Sequence, residues 1–224
     1  QSTLKHNLTM LTNIPEKNLT LEPKNDKFLQ SFPGTLYAYI PDYNDKLPVI
    51  HSEELNLDRQ KEGFGIFFTV NGFCDGKRTS ETLTNLNGFF CDIDYPNKLD
   101  RTPEKIHDYK QDLLSELYDG GCLPTYIVET KNGLHVYWLF QNPIYLADIN
   151  EEQRNRLRIL YRDIEEAILR RFDGDPAAKD VARVLRVPGT IHQKDPNDPF
   201  EVKLIYVSKD RKSTRLNSSH SDRS

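Results

Sequence analysis

The chain has 224 residues, a formal net charge of −4, 37% hydrophobic, 29% charged and 10% aromatic residues. This balance indicates one sizeable globular domain or two small ones, and no apolar run is long enough for a membrane span. Because the net charge is negative, binding to a polyanion requires a local basic cluster or metal ions rather than the overall field of the protein.

The three cysteines, Cys74, Cys91 and Cys122, lie far apart in the sequence and form no CxxC pair. This pattern predicts buried thiols without structural zinc, in a reducing compartment, and the cytoplasm is the expected location. The chain begins with Gln rather than Met, so we expect an internal fragment of a longer protein.

Polar residues dominate positions 1–30, and we interpret them as a loosely ordered lead-in to a domain that spans 31–208. Two aromatic-rich runs predict strands at 35–40 and 65–70. The charged segment 42–63 between them predicts a loop and a short helix.

Residues 71–87 form a polar connector that carries the basic pair Lys77 and Arg78. Such a pair is usually solvated surface. An approach of this pair to a phosphate is the less favoured alternative.

The run from Gly88 to Asp94 reads GFFCDID and predicts a strand that ends in two aspartates. Side chains alternate along a strand, so Asp92 and Asp94 would share one face. Two carboxylates on one face repel each other unless a cation lies between them, and Mg²⁺ or Mn²⁺ prefers such oxygen ligands. The alternative is that these residues cap the strand and begin a turn.

The next segment predicts a helix over 103–119. Thr102 is a suitable N-cap, Pro103 suits the first helical position, and Gly120 with Gly121 ends the helix. The apolar residues at helical spacing are Ile106, Tyr109, Leu113 and Leu117.

An Asn-Gly turn between two apolar runs predicts a β-hairpin with strands at 125–129 and 134–140. Alternation places His135 on one face and Val136 with Trp138 on the other, which we expect to be the core side.

Lys131 in that turn and His135 just after it bring together a flexible cation, backbone N–H groups and an imidazole. These donors suit a chain of phosphates. A lone histidine in a strand is nevertheless more often structural.

Asn150 is the expected N-cap of a second long helix over 150–171. Its opposite face is dense in Arg and Glu, which indicates a solvated surface, and residues 200–207 predict an edge strand. Residues 209–224 contain no core positions, and we interpret them as a disordered, non-native tail. The predicted apolar stripe of the helix is Leu157, Leu160, Tyr161, Ile164 and Ile168.

The segment FDGDPAAKDVARVLRVPGT contains Asp175 and two arginines, Arg183 and Arg186, among apolar residues. Burying a guanidinium requires an anionic partner. That partner would be a ligand phosphate or a structural carboxylate, and both alternatives stay open.

Taken in order, these motifs resemble the archaeo-eukaryotic primase superfamily, and most of all the primase-polymerase domains of plasmids, phages and mobile elements. Each motif is weak alone, but three in this order with RVLRVPGT intact form a specific signature over residues 63–207. The motifs are D-x-D (Asp92, Asp94), K-x-G-x-H (Lys131, Gly133, His135), and Asp175 eight residues before Arg183.

The resemblance implies a role for each of these residues. Asp173 and Asp180 remain alternatives to Asp175, and Gly133 stands where the family often has serine, so backbone would replace a hydroxyl contact. The catalytic residues, which would bind two Mg²⁺ or Mn²⁺ ions, would be Asp92, Asp94 and Asp175. The residues that would hold the nucleotide triphosphate, or for the arginines the template strand, would be Lys131, Gly133, His135, Arg183 and Arg186.

The expected fold is α+β, with a mixed or antiparallel central sheet, flanking helices and an archaeo-eukaryotic primase-like catalytic core that has an RRM-like half. We expect both long helices on one face of the sheet and an open cleft for nucleotide and template on the other.

The expected activity is template-directed nucleotidyl transfer: a DNA primase/polymerase that joins (d)NTPs by a two-metal-ion mechanism in replication of a plasmid, phage or mobile element. The expected partners are a single-stranded DNA template with primer, the (d)NTP substrate and a helicase domain or partner, and no membrane.

Two other functions compete with this one. A non-catalytic module that binds single-stranded nucleic acid would have no reason to gather three aspartates. A metal-dependent replication-initiator endonuclease would ordinarily need a histidine pair, which the sequence lacks.

Overall fold

The structure is a computed structural model, and it describes residues 20–43, 46–96, 100–175 and 180–209. None of the described helices is both long and apolar enough to cross a membrane. The α-helices are α1 (Pro23–Leu29), α2 (Pro103–Asp119) and α3 (Glu151–Arg171), and short 3₁₀ helices lie at Leu57–Gln60 and Leu146–Asp148. The strands are β1 (Tyr37–Pro41), β2 (Ile50–Ser52), β3 (Phe64–Thr69), β4 (Gly72–Phe73), β5 (Leu83–Asp94), β6 (Tyr126–Glu129), β7 (Gly133–Tyr145), β8 (Val184–Arg186), β9 (Ile191–His192), β10 (Phe200–Glu201) and β11 (Lys203–Val207).

The described strands form two main sheets and a two-stranded ribbon. One sheet has the order β2-β1-β3-β8, the other has the order β11-β6-β7-β5-β4, and β9 pairs with β10. Every described pair is antiparallel. Together with the three helices, this arrangement confirms the predicted α+β class.

The long antiparallel pair of β5 and β7 is the frame of the five-stranded sheet. Its register places Asp92 opposite His135 and Asp94 opposite Gly133. Gly133 is buried, and a Cβ atom there would overlap the Ile93 carbonyl oxygen, so this close approach requires glycine. Residues directly opposite each other have Cβ atoms about 4.5–5.5 Å apart, so the register brings the D-x-D motif to the histidine.

The two faces of this sheet pack against different layers. On one face, Tyr137 contacts Phe28 of α1 and Phe68 of β3, with ring centroids 5.3 and 6.1 Å apart. On the other face, Trp138 stacks on Phe172, just after α3. The face that we expected to be an open cleft is therefore covered by the four-stranded sheet and α1 along most of its length.

Burial along β7 also differs from the prediction that one face alone is the core side. Tyr137 is fully buried, whereas Trp138 is only half-buried. A sheet between two layers buries both faces, and alternation in the sequence does not distinguish them.

The described part of the predicted lead-in is not loosely attached. Residues 23–29 form α1, and the Phe28 ring lies fully buried in the aromatic cluster between the sheets. This short helix stays in place because it buries aromatic surface, which a polar composition does not reveal. Residues 1–19 lie outside the described residues.

Helix α2 has the predicted bounds, and the Thr102 side chain accepts a hydrogen bond from the backbone N–H of Lys105 as an N-cap. Helix α3 starts at a capping box formed by Asn150 and Gln153. Its buried face differs from the predicted stripe: Leu160 is 56% exposed, and Glu165 is fully buried in line with Tyr161.

The predicted connector 71–87 contains strands instead. Strand β4 lies within it, and β5 already begins at Leu83. The buried asparagines satisfy one another: Asn85 Nδ2 donates to Asn87 Oδ1 at 2.8 Å, and the Asn87 backbone N–H donates to Asn71 Oδ1 at 3.0 Å. These side-chain bonds remove the cost of burying polar groups, which is why the polar composition was misleading.

The cysteines only partly follow the prediction of buried thiols: Cys91 is buried, Cys74 is half-buried and Cys122 is exposed. The predicted edge strand at 200–207 is divided into β10 and β11. Residues 210–224, most of the predicted non-native tail, lie outside the described residues.

Candidate functional site

An open cavity of about 950 Å³ is lined by residues from both sheets. It lies at the end of the β5–β7 pair that carries Asp92, Asp94 and His135. The charged lining residues are the basic Arg78, Arg101, Lys131, Arg183, Arg186 and Lys194, and the acidic Asp92, Asp94, Asp180 and Asp195.

Arg183 links two of the three predicted metal-binding aspartates. Its Nη2 atom lies 3.1 Å from Asp92 Oδ2 and 2.7 Å from Asp175 Oδ2. These are charge-assisted hydrogen bonds with good geometry. The structure thus brings Asp92 and Asp175 together, although 83 positions separate them in the chain.

The turn after α3 places Asp175 at this point. Asp173 has a φ of 49°, which reverses the chain after the helix. The Asp175 backbone N–H then donates to the Asp92 carbonyl at 2.9 Å. Gly174 is required between them, because a Cβ there would lie 2.6 Å from Cys91 Sγ.

Asp94 lies two residues beyond Asp92, at the exposed end of β5. Protein atoms around its carboxyl displace water, and this burial together with the negative charge of Asp92 raises the pKa of Asp94 to about 6. The charge of Asp175 acts in the same direction. The three predicted carboxylates therefore influence one another electrostatically.

His135 is buried beside Asp92, with its Nε2 atom 3.5 Å from Asp92 Oδ1. Burial lowers the pKa of His135, the charge of Asp92 opposes this effect, and the charges of Arg186 and Arg183 add to it, so the net shift favours the neutral imidazole. Its Nδ1 atom is buried without a hydrogen-bond partner in the described part of the chain. The side chain is thus held in place mainly by packing.

Arg186 is placed differently from Arg183. Its guanidinium makes two hydrogen bonds to Asp42, of 2.6 and 3.1 Å, and both side chains are almost fully buried. The guanidinium also lies 4.5 Å from the centre of the Phe67 ring. For Arg186, the anionic partner is therefore a structural carboxylate, the second of the two alternatives that the sequence left open.

The predicted phosphate donors of the hairpin turn already have hydrogen-bond partners within the protein. Lys131 Nζ pairs with Asp198 Oδ2 at 2.7 Å and donates to the Asp198 carbonyl at 2.7 Å. The Gly133 N–H donates to Thr130 Oγ1 at 3.0 Å, so it points into the turn. Lys131 lines the cavity, whereas Gly133 serves the close approach of β5 and β7.

Sequence reasoning missed several cavity residues: Arg101, His192 and Lys194, and it favoured a solvated position for Arg78. Burial and the charge of Arg186 lower the pKa of His192 to about 4. No sequence signal distinguished these side chains from surface charges. Of the alternative third ligands, Asp180 lines the cavity, and its Oδ1 accepts a hydrogen bond from the Ala182 N–H at 3.0 Å.

The side chains at the site can be compared with the ligands that a divalent metal ion requires. In the described residues, no three His, Cys, Asp or Glu side chains are spaced to hold a metal ion. Arg183 Nη2 lies between the Asp92 and Asp175 carboxylates, where a cation would bind. Converging carboxylates that repel one another nevertheless suit a hard divalent ion, provided that the guanidinium moves.

Comparison with known proteins gives four likenesses, two in sequence and two in fold. The sequence model of the RepB DNA-primase N-terminal domain family matches residues 102–218, slightly more than half of the chain. This range begins after Asp92 and Asp94 and extends into the tail that we predicted to be non-native. The chain is also 28% identical over 148 residues to a replication protein of Clostridium perfringens.

That alignment covers 64% of the chain but 32% of the relative, so the chain spans about a third of the curated relative. The fold is similar to the primase-polymerase domain of cyanophage S-2L, with a TM-score of 0.56 and 16% identity over 81% of this chain and 88% of that one. The crystal structure of the primase RepB′ gives a TM-score of 0.45 at 14% identity, over 82% of this chain and 55% of that one.

Proposed function

Because the chain belongs to the RepB DNA-primase N-terminal domain family, we propose that it carries the nucleotidyl-transfer site of a replication primase. The family match and the primase-polymerase fold confirm the resemblance that the motifs indicated. The proposed reaction is template-directed joining of (d)NTPs on a single-stranded DNA template. A helicase domain or partner remains a prediction.

One observation carries this proposal: Arg183 joins Asp92 and Asp175 beside the buried His135, in a cavity with more than enough room for a nucleotide. Phosphoryl transfer needs positioning and charge stabilisation more than covalent chemistry by the protein. A site with carboxylates next to a guanidinium and an imidazole supplies both signs of charge within one cavity.

The aspartates would hold the cations of the reaction. Asp92 and Asp175 would bind divalent ions directly, and Asp94 would do so in its ionised form. Two such ions, when bound, would polarise the reacting phosphate and lower the pKa of the attacking hydroxyl.

Arg183 would change partners during binding. Its side chain is 31% exposed, which leaves it room to turn toward the cavity. The Asp92 and Asp175 carboxylates would then hold the divalent ions, and the Arg183 guanidinium, turned away from them, would pair with the nucleotide phosphates.

His135 would donate a hydrogen bond from neutral imidazole to a phosphate oxygen. The side chain is preorganised because it is buried and opposite Asp92 in the β5–β7 register. A donor that does not have to reorganise stabilises developing charge most effectively. Lys131 would add a second cation after leaving Asp198.

A primer-synthesis assay on single-stranded template, with labelled nucleotides and Mg²⁺ or Mn²⁺, tests this proposal. Asp92→Asn is expected to lower incorporation by at least about 100-fold, as loss of an electrostatic contact to the transition state does. Asp112→Asn, on the exposed side of α2, is the matched control and should retain activity.

The same assay separates the competing functions. Template binding without incorporation under either metal supports a non-catalytic module. Nicking of the template supports the endonuclease. Equal incorporation by Asp92→Asn and the wild type contradicts the proposed site.

A further inference from the structure

The cavity is large for a single nucleotide. Its volume of about 950 Å³ lies near the top of the range of roughly 300–1,000 Å³ for small-ligand sites. One part of the lining, the acidic end, holds Asp92, Asp94 and His135. The part that we call the second arm consists of Ile40, Phe67, Arg78, Val184 and Arg186. The two parts adjoin, because the charge of Arg186 acts on His135 and lowers its pKa.

The second arm lies on the outer face of the four-stranded sheet. Phe67 pairs with Arg186, and Phe68 on the opposite face belongs to the aromatic core. By alternation, Val184 lies on the same face as Arg186, and Ile40 lies on that face of β1. The arm thus combines an apolar sheet surface with guanidinium groups.

Arg78 is held above this surface at two points. Its Nε atom donates to His51 Nε2 at 3.0 Å, and its Nη1 atom donates to the Ala182 carbonyl at 2.7 Å. His51 lies on the edge strand β2, and Ala182 precedes the opposite edge strand β8, so the guanidinium bridges the His51 side chain and the backbone before β8. Burial and the charge of Arg78 lower the pKa of His51, which keeps its imidazole neutral and able to accept.

This leaves part of the Arg78 guanidinium available to a ligand. Its Nη2 atom has no hydrogen bond to any other residue in the described ranges, although the charge of Asp180 acts on the side chain. The neighbouring Lys77 is exposed and does not line the cavity. The two residues of the basic pair therefore have different environments.

The charge of the cavity also differs from that of the chain. Its lining carries six Lys or Arg side chains and four Asp side chains, whereas the whole chain has a net charge of −4. This local excess of positive charge suits a ligand with several phosphates.

We propose that the second arm binds one strand of nucleic acid, the template, with Arg78 contacting a backbone phosphate. This inference rests on the proposed function, because it assigns the acidic end of the cavity to the nucleotide. The apolar surface of Ile40 and Phe67 would contact a base, as sequence-tolerant single-strand sites do.

The test is fluorescence anisotropy with a labelled single-stranded DNA oligonucleotide, in EDTA and without nucleotide. Arg78→Ala is expected to weaken binding about 10-fold and to make log K less steep against log salt by about 0.7, the value of one phosphate contact on a single strand. Lys77→Ala, the matched control of equal charge change, should bind within about twofold of the wild type.

Two further variants show whether DNA binding depends on the geometry of the Arg78 guanidinium or only on its positive charge. Arg78→Lys retains the charge but loses the two-point attachment to His51 and Ala182, so it should restore binding only in part. His51→Ala removes one attachment and should weaken binding about threefold. Thermal melts compare the folding of all variants.

A separate measurement gives the affinity of each variant for a free nucleotide in the presence of Mn²⁺. Arg78→Ala should leave this affinity within about twofold of the wild type, because Arg78 contacts neither Asp92 nor Asp175. A loss of nucleotide affinity with unchanged DNA affinity would assign Arg78 to the triphosphate instead and overturn the inference.

The inference and the proposed function fail in different ways. If the wild type binds DNA through Arg78 but incorporates no nucleotide, the activity is wrong and the strand site stands. If the wild type incorporates nucleotides while Arg78→Ala and Lys77→Ala bind DNA alike, the strand site is wrong. A wild type that binds no single-stranded DNA also overturns it.

Discussion

Arg183 and Arg186 are three positions apart, yet their surroundings differ in every respect that matters for function. Arg186 is almost fully buried in a two-bond pair with Asp42, whereas Arg183 is 31% exposed and joins Asp92 and Asp175 at the cavity. Arg186 lies within β8, opposite Phe67, whereas Arg183 lies just before the strand, where its N–H donates to the Asp180 carbonyl in a turn. The comparison teaches that burial and partner, rather than the motif, separate a guanidinium fixed in the fold from one available to a ligand.

The largest effect on stability is expected when the buried Arg186 is replaced. Arg186→Ala should lower the free energy of unfolding by about 3–5 kcal/mol, because it leaves the Asp42 carboxylate buried without a cation. Arg183→Ala should lower it by less than about 1 kcal/mol, since its pairs are partly solvated. Urea denaturation measures both values.

A double variant is the control for this prediction. Adding Asp42→Ala to Arg186→Ala should cost little more, because the unpaired charge is then gone. Equal destabilisation by the two single arginine variants would remove the distinction between them.

The buried Glu165, which has no guanidinium partner among the described residues, sharpens the comparison. Burial raises the pKa of Glu165 to about 8, and its Oε1 atom accepts a hydrogen bond from the Phe90 N–H at 3.1 Å. The pKa of Glu165 is higher in the folded protein than in the unfolded chain. The contribution of Glu165 to the free energy of unfolding is therefore fully present below about pH 4.3 and is lost as the pH rises to about 8.

Glu165→Gln should remove this pH dependence. Relative to the variant, the wild type should lose about 3–4 kcal/mol of unfolding free energy between pH 5 and pH 8. Denaturation series at the two pH values measure the difference. Parallel pH profiles would show that Glu165 is ionised in the folded protein.

The position of Arg183 between two carboxylates leads to a prediction about the affinity of the site for metal ions. Arg183→Gln should bind Mn²⁺ about 10-fold more tightly in the absence of nucleotide, because the guanidinium no longer competes for Asp92 and Asp175. Electron paramagnetic resonance of free Mn²⁺ gives the affinity. The control is Arg78→Gln, because Arg78 lines the same cavity without contacting either aspartate. Weaker Mn²⁺ binding by Arg183→Gln than by the wild type would contradict the proposed exchange of partners.

The smallest effect is expected for the pair whose acidic partner is largely solvated. Lys131→Ala should change the free energy of unfolding by less than about 0.5 kcal/mol, because Asp198 is 71% exposed. Thermal unfolding measures it. A larger loss would place Lys131 with Arg186 as a structural residue rather than with Arg183.

Local signals explain which elements could be predicted from the sequence. Thr102 and Asn150 mark the starts of α2 and α3, and the Asn-Gly turn marks the hairpin. Helix α1 and the buried asparagines of β4 and β5 gave no such signal, because their stability comes from partners far away in the chain.

The site shows the same limit. Alternation along β5 and the hairpin turn before β7 can be read from sequence, and the resemblance brought Asp92 and His135 into one site. The β5–β7 register that sets them opposite each other cannot be read in this way, because the two strands are not consecutive in the chain. The partner of Arg186 cannot either, because Asp42 is 144 positions away and lies in a segment that we predicted to be a loop. The positions of Arg78 and Lys131 depend in the same way on tertiary contacts.

The overlap that any Cβ at Gly133 would have with the Ile93 carbonyl limits what can be built into the turn. The serine that is often found at this position in the family that the motifs resemble would push the backbones of β5 and β7 apart beneath Asp92 and His135. A hydroxyl could therefore be grafted onto this turn only if the two strands were first redesigned to stand further apart.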